Sequence, residues 1–373
     1  TIHRHWSEDV DWAPDENGII QNNDFFGGNF RGITDKLDYI AGLGVTLIYL
    51  NPICKAFSNH RYDTGDHKTP DPMLGTEADF ARLCSAAHVR GIRVILDGVF
   101  SHTGSNSLYF DRNRTFGGMG AYCRQDSPYY NWYTFYHWPD NYHSWWDFDT
   151  LPTVNKMHPD FIKYIITDDD SVLAHWLRLG ADGFRLDVAD ELPDEFIARI
   201  RAVMNAENPD TYLLGEVWED GTTKIAYSQR RKYLLGRETN GLMNYPFRTA
   251  LMAYLLGGGA EYFRDSMEEL RENYPAPAFY GAMNFLSTHD TPRLLTILGL
   301  TSPAPQTRDE RAVYQLSDSD LARGMSLLKL AALILYTFPG SPMLYYGDEA
   351  GMQGFEDPFN RGTYPWGREN AEL

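Results

Sequence analysis

Short runs of β-branched and large apolar residues recur along the chain, each followed by a polar loop and then by a segment with apolar positions at helical spacing. This alternation is the mark of βα units around a parallel sheet. Residues 45–50 are the first run that reads as a strand. Residues 76–88 read as a helix: Thr76 caps it, Phe80, Leu83, Cys84 and Ala87 share one face, and Gly91 closes it. The next strand is 93–99. A helix over 160–179, ended by Gly180, leads into a strand at 183–187, and further strands are predicted at 212–216, 242–245, 283–287 and 342–346.

These strands number seven, one short of a closed eightfold barrel. Ahead of residue 45 only a helix at 33–43 stands out, and the polar, Gly-rich run 1–32 holds no convincing strand. The chain stops at Leu373 without the helix that should follow the last strand. The expected fold is therefore α/β, a TIM (β/α)8 barrel lacking its first strand and last helix, with native sequence continuing at both ends. Residues 101–155 break the rhythm, being rich in Tyr, Trp, Asn, Asp and Gly and too long for an ordinary connection. They read as a small inserted domain after strand three, leaving 1–100 and 156–373 to the barrel.

The formal net charge of −18 opposes polyanions and anionic membrane surfaces, so neither nucleic acid nor membrane is an expected partner. No stretch approaches the roughly 20 apolar residues that span a bilayer, and the start shows no signal-peptide pattern, which favours a cytoplasmic location. Cys54, Cys84 and Cys123 are odd in number and widely separated, and read as free thiols. Aromatic residues make up 14% of the chain. Most are expected in the core, but their amphipathic rings also suit sugars. In the insert, Tyr129, Trp132, Tyr142, Trp145 and Trp146 belong to an aromatic surface too large for so short a domain to bury, and part of it is expected to line a cleft.

Ionisable residues cluster at the C-terminal ends of separate strands, where a barrel places its active site. Strand 93–99 carries Asp97 and runs into His102, strand 183–187 carries Arg185 and Asp187, strand 212–216 ends at Glu216 with Trp218 just beyond, and 283–287 leads into His289 and Asp290. Any one carboxylate can be a helix cap. Several converging on one mouth would repel one another and raise a pKa unless used. Glycoside cleavage with retention needs two carboxyl groups about 5–5.5 Å apart, one an acid and one a nucleophile. Neighbouring strands can supply that separation through Asp187 and Glu216, and Arg185 on the same strand face would keep Asp187 ionised.

Residues 97–102, 183–187, 215–216 and 287–290 resemble, in order and spacing, the four strand-end motifs of the α-amylase superfamily, glycoside hydrolase family 13. The segments 58–64, 151–155 and 345–349 resemble its neopullulanase, cyclomaltodextrinase and maltogenic amylase branch. The resemblance implies that Asp187 is the nucleophile, Glu216 the general acid/base, and Asp290 a ligand of the sugar hydroxyls. It also implies that His102 and His289 donate hydrogen bonds there, that Tyr62 forms a stacking floor, and that Asp97 supports its neighbours. Trp218 is a candidate wall, with core packing as its alternative.

The implied substrates are malto-oligosaccharides, cyclomaltodextrins or pullulan, cut at α-1,4 bonds, with α-1,6 or transfer activity as an addition. The alternatives are an α-1,6-glucosidase or sucrose-type member, and an inactive carbohydrate-binding barrel, against which the presence of all three acids counts. No cofactor is needed for the chemistry. The chain departs from the family at Ser101, where a calcium-binding Asn is usual, and at Asp190 and Glu219. Gly27 and Asn29 are the remaining candidates for a second calcium loop, so a structural calcium is left open. Any dimer would form through regions outside this chain.

Overall fold

Four parallel strands, Leu47–Leu50, Arg93–Gly98, Gly183–Leu186 and Tyr212–Gly215, lie side by side in chain order in the computed structural model. The residues described are 22–373 together with Ile2, His3, His5, Glu8, Val10, 13–16 and Gly18. The register sets Asp97 beside Arg185 and Leu186 beside Gly215, so the chemistry-bearing ends of three successive strands align. The second to fourth strands are mostly buried and read as near-continuous apolar runs, as parallel strands covered on both faces do. Gly183 permits the closest approach: its φ is 151°, and a Cβ there would sit 1.9 Å from the Tyr212 carbonyl oxygen.

These strands belong to the first of two compact units, residues 1–4, 21–216 and 225–240. Helix Glu77–Val89 follows the sequence reading closely: Thr76 and Asp79 form a reciprocal capping box, and Phe80, Leu83, Cys84 and Ala87 are buried. Phe80 meets Trp176 edge-on at 5.2 Å, and helix Asp194–Glu207 buries Phe196, Ile197, Ile200 and Met204.

Two expected helices of this unit are broken, and one hairpin in it was not expected. The helix expected over 160–179 is two helical segments, Pro159–Ile162 continuing as a π-turn through Thr167, then Val172–Arg178. The acidic run 168–170 has no apolar face to bury, and Ser171 starts the chain again as an N-cap. The helix expected over 33–43 is likewise Phe30–Asp35 and Leu37–Gly42. A hairpin of Cys54–Ala56 with Thr64–Pro70 was not foreseen, its ladder being irregular and without period-two patterning.

Residues 101–155 leave and return side by side: Val154 N donates to Ser101 O at 3.1 Å and Thr103 N to Pro152 O at 3.1 Å. Much of their aromatic surface is used internally. Phe110 packs against Tyr133, Phe135 and Tyr142, while Trp132 meets Phe161 at 5.0 Å. Tyr136 and Trp146 stay exposed, and Trp145 lies 5.7 Å from the His102 ring.

The second unit comprises residues 5–20, 217–224 and 241–373. Strand Met283–Asn284 pairs in parallel with Ser341–Pro342, and Met243 bridges Met283. The strand expected over 242–245 is cut to Gly241–Leu242, because Asn244 caps helix Tyr245–Leu255 and Pro246 favours its first turn. The strand expected at 342–346 is also short, and Pro342 contributes no amide, so Ser341 N and Met343 N make the bonds to Ala282 O and Asn284 O.

The run 1–32, read as strandless, lies partly outside the described residues; within them it makes one parallel bridge, Ile2 with Phe25. Among the described residues no helix is long and apolar enough to cross a membrane.

Candidate active site

Arg185 is fully buried at the centre of three carboxylates supplied by three adjacent strands or their ends. Its Nη1 donates to Asp97 Oδ1 at 2.7 Å and Asp187 Oδ1 at 2.8 Å, and its Nη2 reaches Glu216 Oε2 at 2.8 Å. The fork shape of a guanidinium is what lets one cation serve all three. The acid side chains are nearly as inaccessible, at 0%, 9% and 5% exposure.

One positive charge cannot neutralise three negative ones, so the cluster resists full ionisation. Burial pushes the Asp187 carboxyl well above the ordinary carboxylate range; Arg185 pulls it back, while Glu216 and Asp97 push it further. Asp97 is raised for the same first reason, burial, against Arg185 and the hydroxyls of Tyr49 and Tyr62. Burial also works against the charge of Arg185, but Asp97 and Glu216 more than offset it and the guanidinium stays protonated.

Asp97 is enclosed by its own donors. Tyr49 and Tyr62 hydroxyls donate to its Oδ2 at 2.6 and 2.7 Å. With Arg185 on the other oxygen, Asp97 orients its neighbours. Tyr49 was missed in the sequence, where it reads as an ordinary strand aromatic. The Tyr62 ring, half-buried, stacks beside His60 at 6.0 Å. His102 Nε2 donates to the Tyr62 carbonyl at 3.1 Å and its Nδ1 accepts from Ser101 Oγ at 2.7 Å. Burial pushes His102 down to about 3, so the ring is neutral and both its nitrogens are engaged within the protein.

Glu216 Oε2 accepts a second bond, from the backbone N–H of Val188 at 2.8 Å. Val188 is left-handed, with φ 38° and ψ 60°, an uncommon state for a β-branched residue. Nothing in the sequence marks it. The residue is strained at the place where its amide meets the carboxylate.

In the second unit, His289 Nε2 lies 3.1 Å from Asp290 Oδ2, and Arg361 Nη2 lies 3.6 Å from Asp290 Oδ1. Arg361 also donates through Nε to the His289 carbonyl at 2.9 Å, which Asn360 Nδ2 shares at 2.7 Å. Neither Asn360 nor Arg361 was foreseen; both come from a stretch without secondary-structure signal. Trp218 is 51% exposed and stacks on Tyr245 at 4.0 Å and 17°, so it is neither a core residue nor loose. Glu219 pairs with Lys224 at 2.6 Å.

Two of the positions read as calcium candidates, Asn29 and Ser101, are engaged in hydrogen bonds within the protein. Asn29 Oδ1 caps the helix at Phe30 by accepting from Gly32 N at 2.8 Å, and the Ser101 hydroxyl is directed at His102. Calcium takes six to eight oxygens, and among the described residues no group of three or more His, Cys, Asp or Glu side chains is arranged to hold a metal.

The model of the alpha-amylase family, catalytic domain, matches residues 8–370. An amylopullulanase from Thermoanaerobacter thermohydrosulfuricus is 39% identical over all of this chain, which covers 27% of that protein. A cyclomaltodextrinase from Geobacillus thermopakistaniensis is 35% identical over 94% of the chain and 54% of its own length. Among solved structures, the type III pullulan hydrolase from Thermococcus kodakarensis superimposes with a TM-score of 0.82 at 31% identity, covering all of this chain and 60% of that one. The chain thus spans between about a quarter and about half of the length of these curated relatives.

Proposed function

Since the chain belongs to the alpha-amylase catalytic-domain family, we propose that it is a retaining glycoside hydrolase acting on α-1,4-glucosidic bonds of malto-oligosaccharides, cyclomaltodextrins or pullulan. The observation that carries this reading is the single buried guanidinium of Arg185 binding Asp97, Asp187 and Glu216 together. It assembles a nucleophile and an acid on adjacent strands, as double displacement requires.

In this reading Asp187 attacks the anomeric carbon while Glu216 protonates the departing glycosidic oxygen; Glu216 then takes a proton from the water that releases the sugar. Arg185 holds both carboxyl groups in place, and Asp97 with Tyr49 fixes Arg185. Tyr62 offers its ring as a floor, with its hydroxyl tied to Asp97. The motif 287–290 assigns ring-hydroxyl binding to Asp290 and His289, and the exposed face of Trp218 is assigned to the wall of the site. His102 positions Tyr62 through its carbonyl. No step uses a metal.

The fold assigned with this function is a (β/α)8 barrel without its first strand and last helix, carrying 101–155 as an inserted domain. The half-buried state of Leu47–Leu50 supports it, since a parallel strand with both neighbours would be covered. A second reading, cleavage of α-1,6 bonds, is favoured by the pullulan hydrolase and amylopullulanase among the similar proteins. Product analysis on cyclomaltodextrin, pullulan and soluble starch separates the two. Failure to release chromophore from an aryl α-maltoside would return the inactive-barrel alternative.

A further inference from the structure

The loop beyond Glu216 contains a small hairpin in which Ile225–Ala226 pairs with Gln229–Arg230. Its two turn residues, Tyr227 and Ser228, are both left-handed, with φ of 52° and 58°. Two-residue hairpins of this form favour Asn-Gly, so a tyrosine here is held against its own preference. Yet Tyr227 is 52% exposed.

The hairpin is clamped at its base. Arg231, almost fully buried, donates to the Asp194 carboxylate and to the carbonyls of Asp190 and Leu192. The Tyr233 hydroxyl donates to Asp190 Oδ1 at 2.6 Å, and the Tyr227 hydroxyl to the Glu191 carbonyl. Apart from Asp194, which starts the following helix, these acceptors lie in the turn that comes directly after Asp187 and Val188. The same turn reaches Glu216 through the Val188 amide.

An aromatic ring that only packs would be buried, and a loop tip that only needs solubility would be polar. A strained tyrosine, fixed by its own hydroxyl to the turn that follows Asp187 and presented half-open, is suited to hold a ligand with an apolar face. The net charge of −18 disfavours an anionic ligand.

We propose that Tyr227 is a specificity-determining residue, a stacking platform for glucosyl units on the leaving-group side of the site that favours longer α-glucan chains. The side follows from its place on the loop after Glu216, the proton donor to the leaving oxygen. This inference rests on the α-glucan reading above.

The test is calorimetric binding of maltoheptaose and maltotriose to the whole chain carrying Glu216→Gln, which slows turnover, with and without Tyr227→Ala or Tyr227→Phe. Tyr227→Ala should weaken maltoheptaose binding roughly tenfold, the effect of removing an aromatic face from a ligand, and weaken maltotriose much less. Tyr227→Phe, which keeps the ring and loses the Glu191 bond, should retain most of the length dependence. Equal weakening for both sugars, no weakening, or a Phe variant as poor as the Ala variant overturns the platform. Starch hydrolysis by the unmodified chain is the separate readout of the glycosidase reading: binding with the expected length dependence but no hydrolysis sinks that reading and leaves the platform, while absence of any binding overturns both.

Discussion

The backbone amide of Val188 donates to Glu216 Oε2 at 2.8 Å, and it does so from a left-handed conformation that valine rarely adopts. The strained residue directly follows Asp187, so one turn ties the proposed nucleophile to the proposed acid. Replacing Val188 by Gly relieves roughly 1–2 kcal/mol of backbone strain but adds about 0.4–1 kcal/mol of unfolded-chain entropy. The thermal midpoint should therefore change little while kcat falls several-fold, because the clamp on Glu216 becomes looser. A large loss of stability with unaltered kcat would mark Val188 as structural only.

Glu216→Gln removes the proton donor while keeping shape. Substrates with poor leaving groups should slow by about 10²–10⁴-fold, and an aryl glycoside whose leaving group departs without protonation should slow far less at the first displacement. Initial rates on an activated aryl α-maltoside and on maltotriose measure this. Equal losses on both would remove Glu216 from the acid role.

Much of this arrangement is legible in the chain, and the reason is periodicity. Strand ends bearing Asp97, Asp187 and Glu216 follow apolar runs, and Thr76 with Asp79 announces its helix by local chemistry alone. What is not legible is overridden by a competing local signal or has no local signal at all. The short strand at Gly241–Leu242 yields to the cap at Asn244, the break at Ser171 follows an acidic run inside a helical pattern, and the left-handed state of Val188 has no local signature.

Arg185→Met leaves three buried carboxyl groups without their counter-ion. Breaking a buried ion cluster on one side costs about 3–5 kcal/mol, and activity should be lost. Without the guanidinium the already raised Asp97 and Asp187 carboxyls are pushed further up in the folded state. A raised folded pKa gives stability that is present at low pH and lost as pH increases, so the deficit should be larger at pH 8 than at pH 5. Urea unfolding of both proteins at the two pH values checks this; a deficit independent of pH would argue that lost packing, not charge, is the cause.

Glu238 offers a separate pH test away from the carboxylate cluster. It is 4% exposed, and among the described residues its Oε2 has no hydrogen-bond partner. Burial pushes its carboxyl up to about 7 from the ordinary 4.5; Asp194 adds to the rise, while Arg231 and Lys232 oppose it. The folded protein therefore prefers this group protonated. Its contribution to stability is whole below about pH 4.5 and is lost as pH rises through about 7, where ionising a buried carboxyl costs on the order of 3 kcal/mol. Glu238→Gln presents a neutral side chain at every pH. The variant and the parent should unfold at similar temperatures near pH 4, and the variant should become the more stable as pH rises, with the gap levelling off above about pH 8. Because Asp194 also accepts from Arg231 at the base of the hairpin, ionised Glu238 repels the carboxylate that helps hold Tyr227 in place. A gap that stays constant from pH 4 to pH 8 would show that Glu238 titrates like an exposed glutamate.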